Sequence, residues 1–65
     1  MPNDEVDVFL KRMKLSLPAL QEMHTSAERL SHQSLTAGNH NDSAKLSRIG
    51  NAVAEMRNGL ISALS

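Results

Sequence analysis

The chain has 65 residues, and seven lysines and arginines balance seven aspartates and glutamates, so its formal net charge is zero. A protein that binds a phosphate backbone normally carries a basic excess, and Phe9 is the only aromatic residue that could stack on bases, which argues against nucleic acid as a partner. Without cysteine, neither a disulfide nor a thiolate metal site can reinforce a core that is marginal at this length. We therefore expect one domain, 1–65, whose core is completed by burial beyond one chain.

The N-terminal segment shows no sign of export. It is acidic and polar, whereas a secretory signal is basic and then apolar. No apolar run approaches the length of about 18 residues that a membrane span requires. Together with the absence of cysteine, this favours a cytoplasmic protein of a bacterium or a phage, with no membrane partner.

The first predicted element is a helix from about residue 4 to 36. Asn3 or Asp4 is suited to cap it, and acidic residues in its first turn interact favourably with the helix dipole. Apolar residues then recur at helical spacing and predict one broad face against a second helix. This face comprises Val6, Phe9, Leu10, Met13, Leu17, Leu20 and Ala27, with Met23 and Leu30 along its edge.

Two apolar residues of this helix, Val8 and Leu15, lie seven positions apart and point almost opposite to the broad face. Two such residues beside an already wide face predict a second contact surface, for a protein partner or for self-association. The alternative is incidental exposure, which is common for single apolar residues.

Pro18 interrupts the helical pattern because it has no backbone N–H and crowds the carbonyl group of Lys14. We expect one bent helix, since the apolar face continues in phase on both sides of the proline. The alternative is a break, in which Ser16 caps a new helix and Pro18 occupies its first turn.

A turn is predicted at about 37–42 and a second helix at about 43–64. Gly38 can adopt the left-handed conformation that ends a helix, and Asn41 or Asp42 is expected to start the next one. The short connection makes the helices antiparallel neighbours, which predicts an all-α hairpin. The second helix carries one apolar stripe, formed by Leu46, Ile49, Val53, Met56, Leu60 and Ala63.

Small residues accompany this stripe. Ala52, Gly59 and Ala63 lie on one side of it and would let another helix approach closely, although simple tolerance of glycine is an equal alternative. Gly50 allows the same two interpretations. The predicted partner or oligomer interface comprises Val8, Phe9, Met13, Leu15, Ala52, Met56, Gly59 and Ala63.

No chemistry is predicted. His24, Glu28 and His32 climb one side of the first helix at steps of four, but converging on one metal ion would require them to span about 12 Å of helix. The simpler interpretation is a polar margin with His24 partly buried. The serines and glycines form no nucleophile elbow or phosphate loop, so we expect no enzyme, cofactor, metal or small-molecule substrate.

The layout of a short, cysteine-free hairpin, with the segment AGNHNDSAKL at its turn and a striped second helix, is similar to that of the YscE-like co-chaperones of type III secretion needle subunits. The resemblance implies that the hairpin binds a larger helical-repeat chaperone and helps keep a polymerising needle subunit soluble in the cytoplasm. It provides no motif from which binding residues can be transferred.

Two functional hypotheses follow. In the first, the chain is a non-enzymatic co-chaperone or adaptor that buries apolar helix faces against a protein partner. In the second, it is a homo-oligomer, most simply an antiparallel four-helix dimer, that acts as a regulator or as a phage-encoded inhibitor of a host protein.

Overall fold

The computed structural model describes residues 4–65 and contains two helices, α1 (Asp4–Thr36) and α2 (His40–Leu64). They pack side by side in an elongated molecule that measures 57 × 14 × 14 Å. The predicted all-α antiparallel hairpin is confirmed. The first helix begins at Asp4, and the alternative cap, Asn3, lies outside the described residues.

The two helices meet along a seam whose residues recur at alternating steps of three and four on both helices. All of its residues are buried or half-buried. On α1 the seam comprises Met13, Leu17, Leu20, His24, Ala27, Ser31 and Ser34, and on α2 it comprises Ser43, Leu46, Gly50, Val53, Arg57, Leu60 and Leu64. The seam is small and polar near the turn and apolar toward the open end of the hairpin.

The reversal of the chain begins at the C-terminus of α1. Gly38 has φ +83°, the left-handed conformation predicted for it. The amide of Gly38 donates to the Leu35 carbonyl at 3.0 Å, and the amide of Asn39 donates to the Ser34 carbonyl at 2.7 Å. These two bonds form a Schellman motif, which satisfies carbonyl groups that the helix end would otherwise leave unpaired.

The start of α2 lies three residues earlier than predicted, at His40. Asn39 is its N-cap, and the Asn39 carbonyl accepts the first helical hydrogen bond from the Ser43 amide at 3.1 Å. Asp42, predicted as a possible start, lies inside the first turn and accepts a hydrogen bond from Asn39 Nδ2 at 2.8 Å. Because the C-terminus of α1 ends in the motif at Gly38 and Asn39, α2 can begin at once. The turn is therefore shorter than the predicted one, which included all of the polar residues up to Asp42.

Gly38→Ala is expected to lower the free energy of unfolding by about 1 to 2 kcal/mol, because a Cβ atom is strained at positive φ. No atom lies within 4 Å of the added Cβ, so the cost is conformational rather than steric. Urea unfolding followed by circular dichroism measures the change. Gly38→Asn is the control, and it should cost less because asparagine tolerates the left-handed region; equal losses would contradict this explanation.

Pro18 lies inside α1, which is a single helix on both sides of it, so the alternative of two short helices is wrong. Ser16 does not cap a new start. Its hydroxyl donates to the Met13 carbonyl at 2.6 Å, back along the same helix. Leu17 and Leu20 are half-buried in the seam on both sides of the proline, and this packing keeps α1 one helix although Pro18 cannot donate to the Lys14 carbonyl group.

The second stripe was predicted correctly at Leu46, Val53 and Leu60, which are half-buried in the seam. Its other three residues, Ile49, Met56 and Ala63, are exposed, and Gly50, Arg57 and Leu64 take their places. Met23, placed by the sequence at the edge of the inner face of α1, is also exposed. The apolar pattern ranks isoleucine and methionine above glycine, but the two helix backbones approach each other best where side chains are small.

The first helix extends beyond the second. From the contact between Ala27 and Gly50, α1 continues for 23 residues to Asp4, whereas α2 continues for only 14 residues to Leu64. The difference leaves an overhang about 13 Å long at 1.5 Å per residue. Val6, Phe9 and Leu10, predicted to pack against α2, are therefore exposed.

Candidate interaction surface

The helices are in close contact at Ala27 and Gly50. A Cβ atom built on Gly50 would lie 3.4 Å from Ala27 Cβ and 3.8 Å from His24 Nδ1, so glycine leaves just enough room for the neighbouring helix. Ala27 is 6% exposed and is the only buried apolar residue among those described. The seam therefore gains its contact from close backbone approach rather than from large interlocking side chains.

Hydrogen bonds between the helices reinforce the part of the seam near the turn. The Ser31 hydroxyl donates to the Ser43 carbonyl at 2.8 Å and lies 3.1 Å from Ser43 Oγ. Ser43 is buried, and no buried side-chain nitrogen or oxygen in residues 4–65 lacks a partner. Each such bond contributes about 1 kcal/mol, which matters where few apolar groups are buried.

His24 connects the two helices. Its Nδ1 donates to the Gly50 carbonyl at 2.9 Å, and its Nε2 lies 2.7 Å from Glu28 Oε1 on its own helix. Each ring nitrogen therefore faces a hydrogen-bond acceptor, Nδ1 on α2 and Nε2 on α1. The predicted polar margin beside the seam is thus a crosslink between helices, and its histidine is used structurally.

Five of the exposed large apolar side chains lie on one side of the hairpin, and the others, Val6, Val8, Leu10, Leu15, Leu35 and Ile61, lie elsewhere. On α1 and α2 alike, these five stand one position before a seam position, as Met23 precedes His24 and Ile49 precedes Gly50. Right-handed helices that run antiparallel turn in opposite senses when viewed from one end, so these positions lie on the same side. We name this surface the apolar side: Phe9, Met23, Leu30, Ile49, Met56 and Ala63.

The residues of the apolar side are all exposed, including Phe9 at 60% and both Met23 and Met56 at 56%. The opposite side has a different character. Residues that stand one position after a seam residue, such as Glu28, Leu35 and Ser47, line a shared surface groove. That groove is mostly polar, so the hairpin is amphipathic as a whole.

The eight predicted interface residues do not form one surface. Three of them, Phe9, Met56 and Ala63, lie on the apolar side, and Ala52 and Gly59 lie at its rim on α2. Met13 lies in the seam, while Val8 and Leu15 lie on the outer surface of α1, where Leu15 is 77% exposed. No atom lies within 4 Å of a Cβ added to Gly59, so within one chain this glycine serves no close contact.

The sequence analysis did not predict the exposure of Met23, Leu30 and Ile49, because it placed them on the hairpin's own inner face or at its edge. The sequence did contain a signal of this exposure. On each helix the apolar pattern is wider than the single line of positions that faces one neighbour. The excess width indicates a second contact but not which residues make it.

A second concave surface lies on the overhang and is lined by Asp4, Glu5, Val8, Phe9 and Arg12. It joins the acidic first turn of α1 to the first residue of the apolar side. The overhang thus combines exposed apolar side chains with a negatively charged tip.

In residues 4–65, no group of three or more histidine, aspartate or glutamate side chains is placed to hold a metal ion. His32, the third member of the predicted series with His24 and Glu28, is exposed and lies outside the seam.

Neither of the two described helices contains an apolar stretch sufficient to cross a membrane. Comparison of the chain with protein-family models, with curated proteins and with solved structures finds no match in any of the three. The structure itself shows a helical hairpin with a narrow seam and one exposed apolar side.

Proposed function

We propose that this protein is a non-enzymatic, cytoplasmic interaction module that works by burying its apolar side against another protein surface. The observation that carries the proposal is the difference in burial between the seam and the apolar side. The seam fully buries only one apolar side chain, Ala27, and half-buries its leucines, whereas Met23, Ile49 and Met56 are more than 45% exposed. Exposed apolar side chains grouped on one side of a protein are typical of a docking site.

A helical surface two helices wide is suited to another helical protein. Methionine contributes two of the side chains, and its flexible thioether adapts to different packing partners. A co-chaperone or adaptor uses such a surface to cover apolar helices of a partner that would otherwise aggregate. A role beside a type III secretion chaperone, expected from the layout of the chain, is one specific form of this proposal.

The test is affinity capture from the source cell, with quantitative mass spectrometry of proteins other than the bait. Leu30→Asn removes an apolar group from the apolar side, and Leu35→Asn makes the same change on the same helix but on the polar side. We expect the wild type and Leu35→Asn to retain the same proteins and Leu30→Asn to lose them. Equal recovery by both variants would contradict a role for the apolar side.

A further inference from the structure

We infer that the apolar side is covered by a second copy of this chain, packed antiparallel to form a four-helix dimer. The inference rests on the proposed function, since it names the occupant of the same surface. Three observations support a second copy: the area left exposed, the positions of the apolar residues along α1, and the charge at the overhang.

The surface area that the chain exposes beyond that of a compact protein is large enough for its half of a dimer interface. The chain exposes 5120 Å². A compact monomeric protein of 7.1 kDa is expected to expose about 4,100 Å², so the excess is about 1,000 Å². A stable interface of standard size buries about 800 Å² on each partner. A second hairpin, equally two helices wide, is the simplest occupant of that size.

The positions along α1 are self-complementary in the antiparallel arrangement. A two-fold axis that crosses α1 between Ala19 and Leu20, close to its midpoint, places Phe9 of one copy opposite Leu30 of the other. The same axis places Met23 opposite the small side chain of Ser16. Phe9, which the chain's own α2 is too short to reach, is then covered by the turn end of the second copy.

The negative charge at the overhang favours the antiparallel arrangement over the parallel one. The overhang carries Asp4, Glu5 and Asp7 in its first turn. A parallel dimer would bring both acidic tips together and would leave both overhangs without a cover. The antiparallel dimer keeps the tips at opposite ends, about 45 Å or more apart for helices of this length.

Sedimentation equilibrium across the micromolar range tests the inference, with circular dichroism to report helicity at each concentration. The wild type is expected to sediment at twice the 7.1 kDa chain mass. Ile49→Asn, on the apolar side, should raise the dissociation constant about tenfold or more. Ile61→Asn, one position after a seam residue and so on the other side, should change it little. A helical wild type that stays monomeric, or equal effects of the two variants, would overturn the inference.

Cross-linking reports the arrangement without depending on a destabilised variant, because the chain has no cysteine of its own. Ala19→Cys lies beside the proposed axis on the flank of α1 that carries the apolar side, and a short bismaleimide should link two copies covalently. Gln33→Cys, on the same flank but far from the axis, should remain unlinked, because the antiparallel arrangement places its two copies about 40 Å apart. Equal yields from the two variants would overturn the antiparallel arrangement, because a parallel dimer places every residue opposite its own copy.

The failure of this inference differs from failure of the proposed function. A monomeric, helical wild type whose captured proteins are still lost with Leu30→Asn would reject the second copy and retain docking through the apolar side. A monomeric wild type whose captured proteins are unaffected by Leu30→Asn would reject both.

Discussion

Gly50→Leu is expected to lower the free energy of unfolding by about 2 kcal/mol or more, because an isobutyl group cannot fit where the two helices are in close contact. An added Cβ atom already lies 3.4 Å from Ala27 Cβ, so every atom beyond it must displace α1. Displacement would also stretch the bond from His24 Nδ1 to the Gly50 carbonyl, which is 2.9 Å long. For a domain of this size, the midpoint of thermal unfolding should fall by roughly 10 °C.

Gly59→Leu is the matched control on the same helix. No atom lies within 4 Å of a Cβ added to Gly59, so leucine there removes a flexible residue at no steric cost and should raise stability by about 0.5 to 1 kcal/mol. Gly50→Ala falls between the two, since a single methyl group makes an ordinary contact with Ala27. Urea and thermal unfolding at one fixed concentration compare the three variants. Equal stability of Gly50→Leu and Gly59→Leu would show that the helices do not cross at Gly50.

The helices and the reversal between them could be predicted from sequence because their determinants are local. The apolar repeat continues on both sides of Pro18, and Gly38 is the residue that a left-handed helix end requires. The start of α2 is less certain in sequence because Asn39, Asn41 and Asp42 are all suited to cap a helix. Asn39 becomes the N-cap of α2 because the C-terminal motif of α1 ends at Gly38 and Asn39.

The rotational phase of α2 could not be predicted, because apolar spacing does not reveal what covers a stripe. Ile49 and Met56 form a regular series, and that series faces outward. The inner series runs through Ser43, Gly50 and Arg57, which hydropathy ranks low. Its selection depends on small residues meeting across the seam, as Gly50 meets Ala27, and on hydrogen bonds such as that from Ser31 to Ser43.

The predicted interface stays a prediction, and its eight residues are divided among several surfaces of the hairpin. Val8 and Leu15 are exposed as expected. The larger apolar side became visible only when the seam had been located, since Met23, Leu30 and Ile49 are defined as apolar side residues by what α1 and α2 leave uncovered. Sequence showed that apolar residues exceed what one hairpin can bury, and the structure shows where the excess lies.

Arg57→Leu is expected to raise the free energy of unfolding by about 1 to 2 kcal/mol, because a leucine in the apolar part of the seam replaces a half-buried guanidinium group. Arg57 occupies a seam position but forms no ion pair, since the one ion pair in residues 4–65 joins His24 to Glu28. The one side-chain hydrogen bond that Arg57 makes among the described residues runs from Nη1 to Asn58 Oδ1 and is long, at 3.5 Å. The apolar stem of Arg57 packs in the seam while its charged group stays in water. Arginine therefore makes less apolar contact in the seam than leucine would make.

Arg48→Leu provides the control for losing a positive charge and gaining an apolar side chain on α2, since Arg48 is exposed and outside the seam. Its effect should remain within about 0.5 kcal/mol in either direction. Urea unfolding at several protein concentrations separates a tighter seam, which stabilises at every concentration, from stronger self-association, which stabilises more as concentration rises. If Arg57→Leu proved less stable than the wild type, the explanation that the guanidinium group weakens the seam would be wrong.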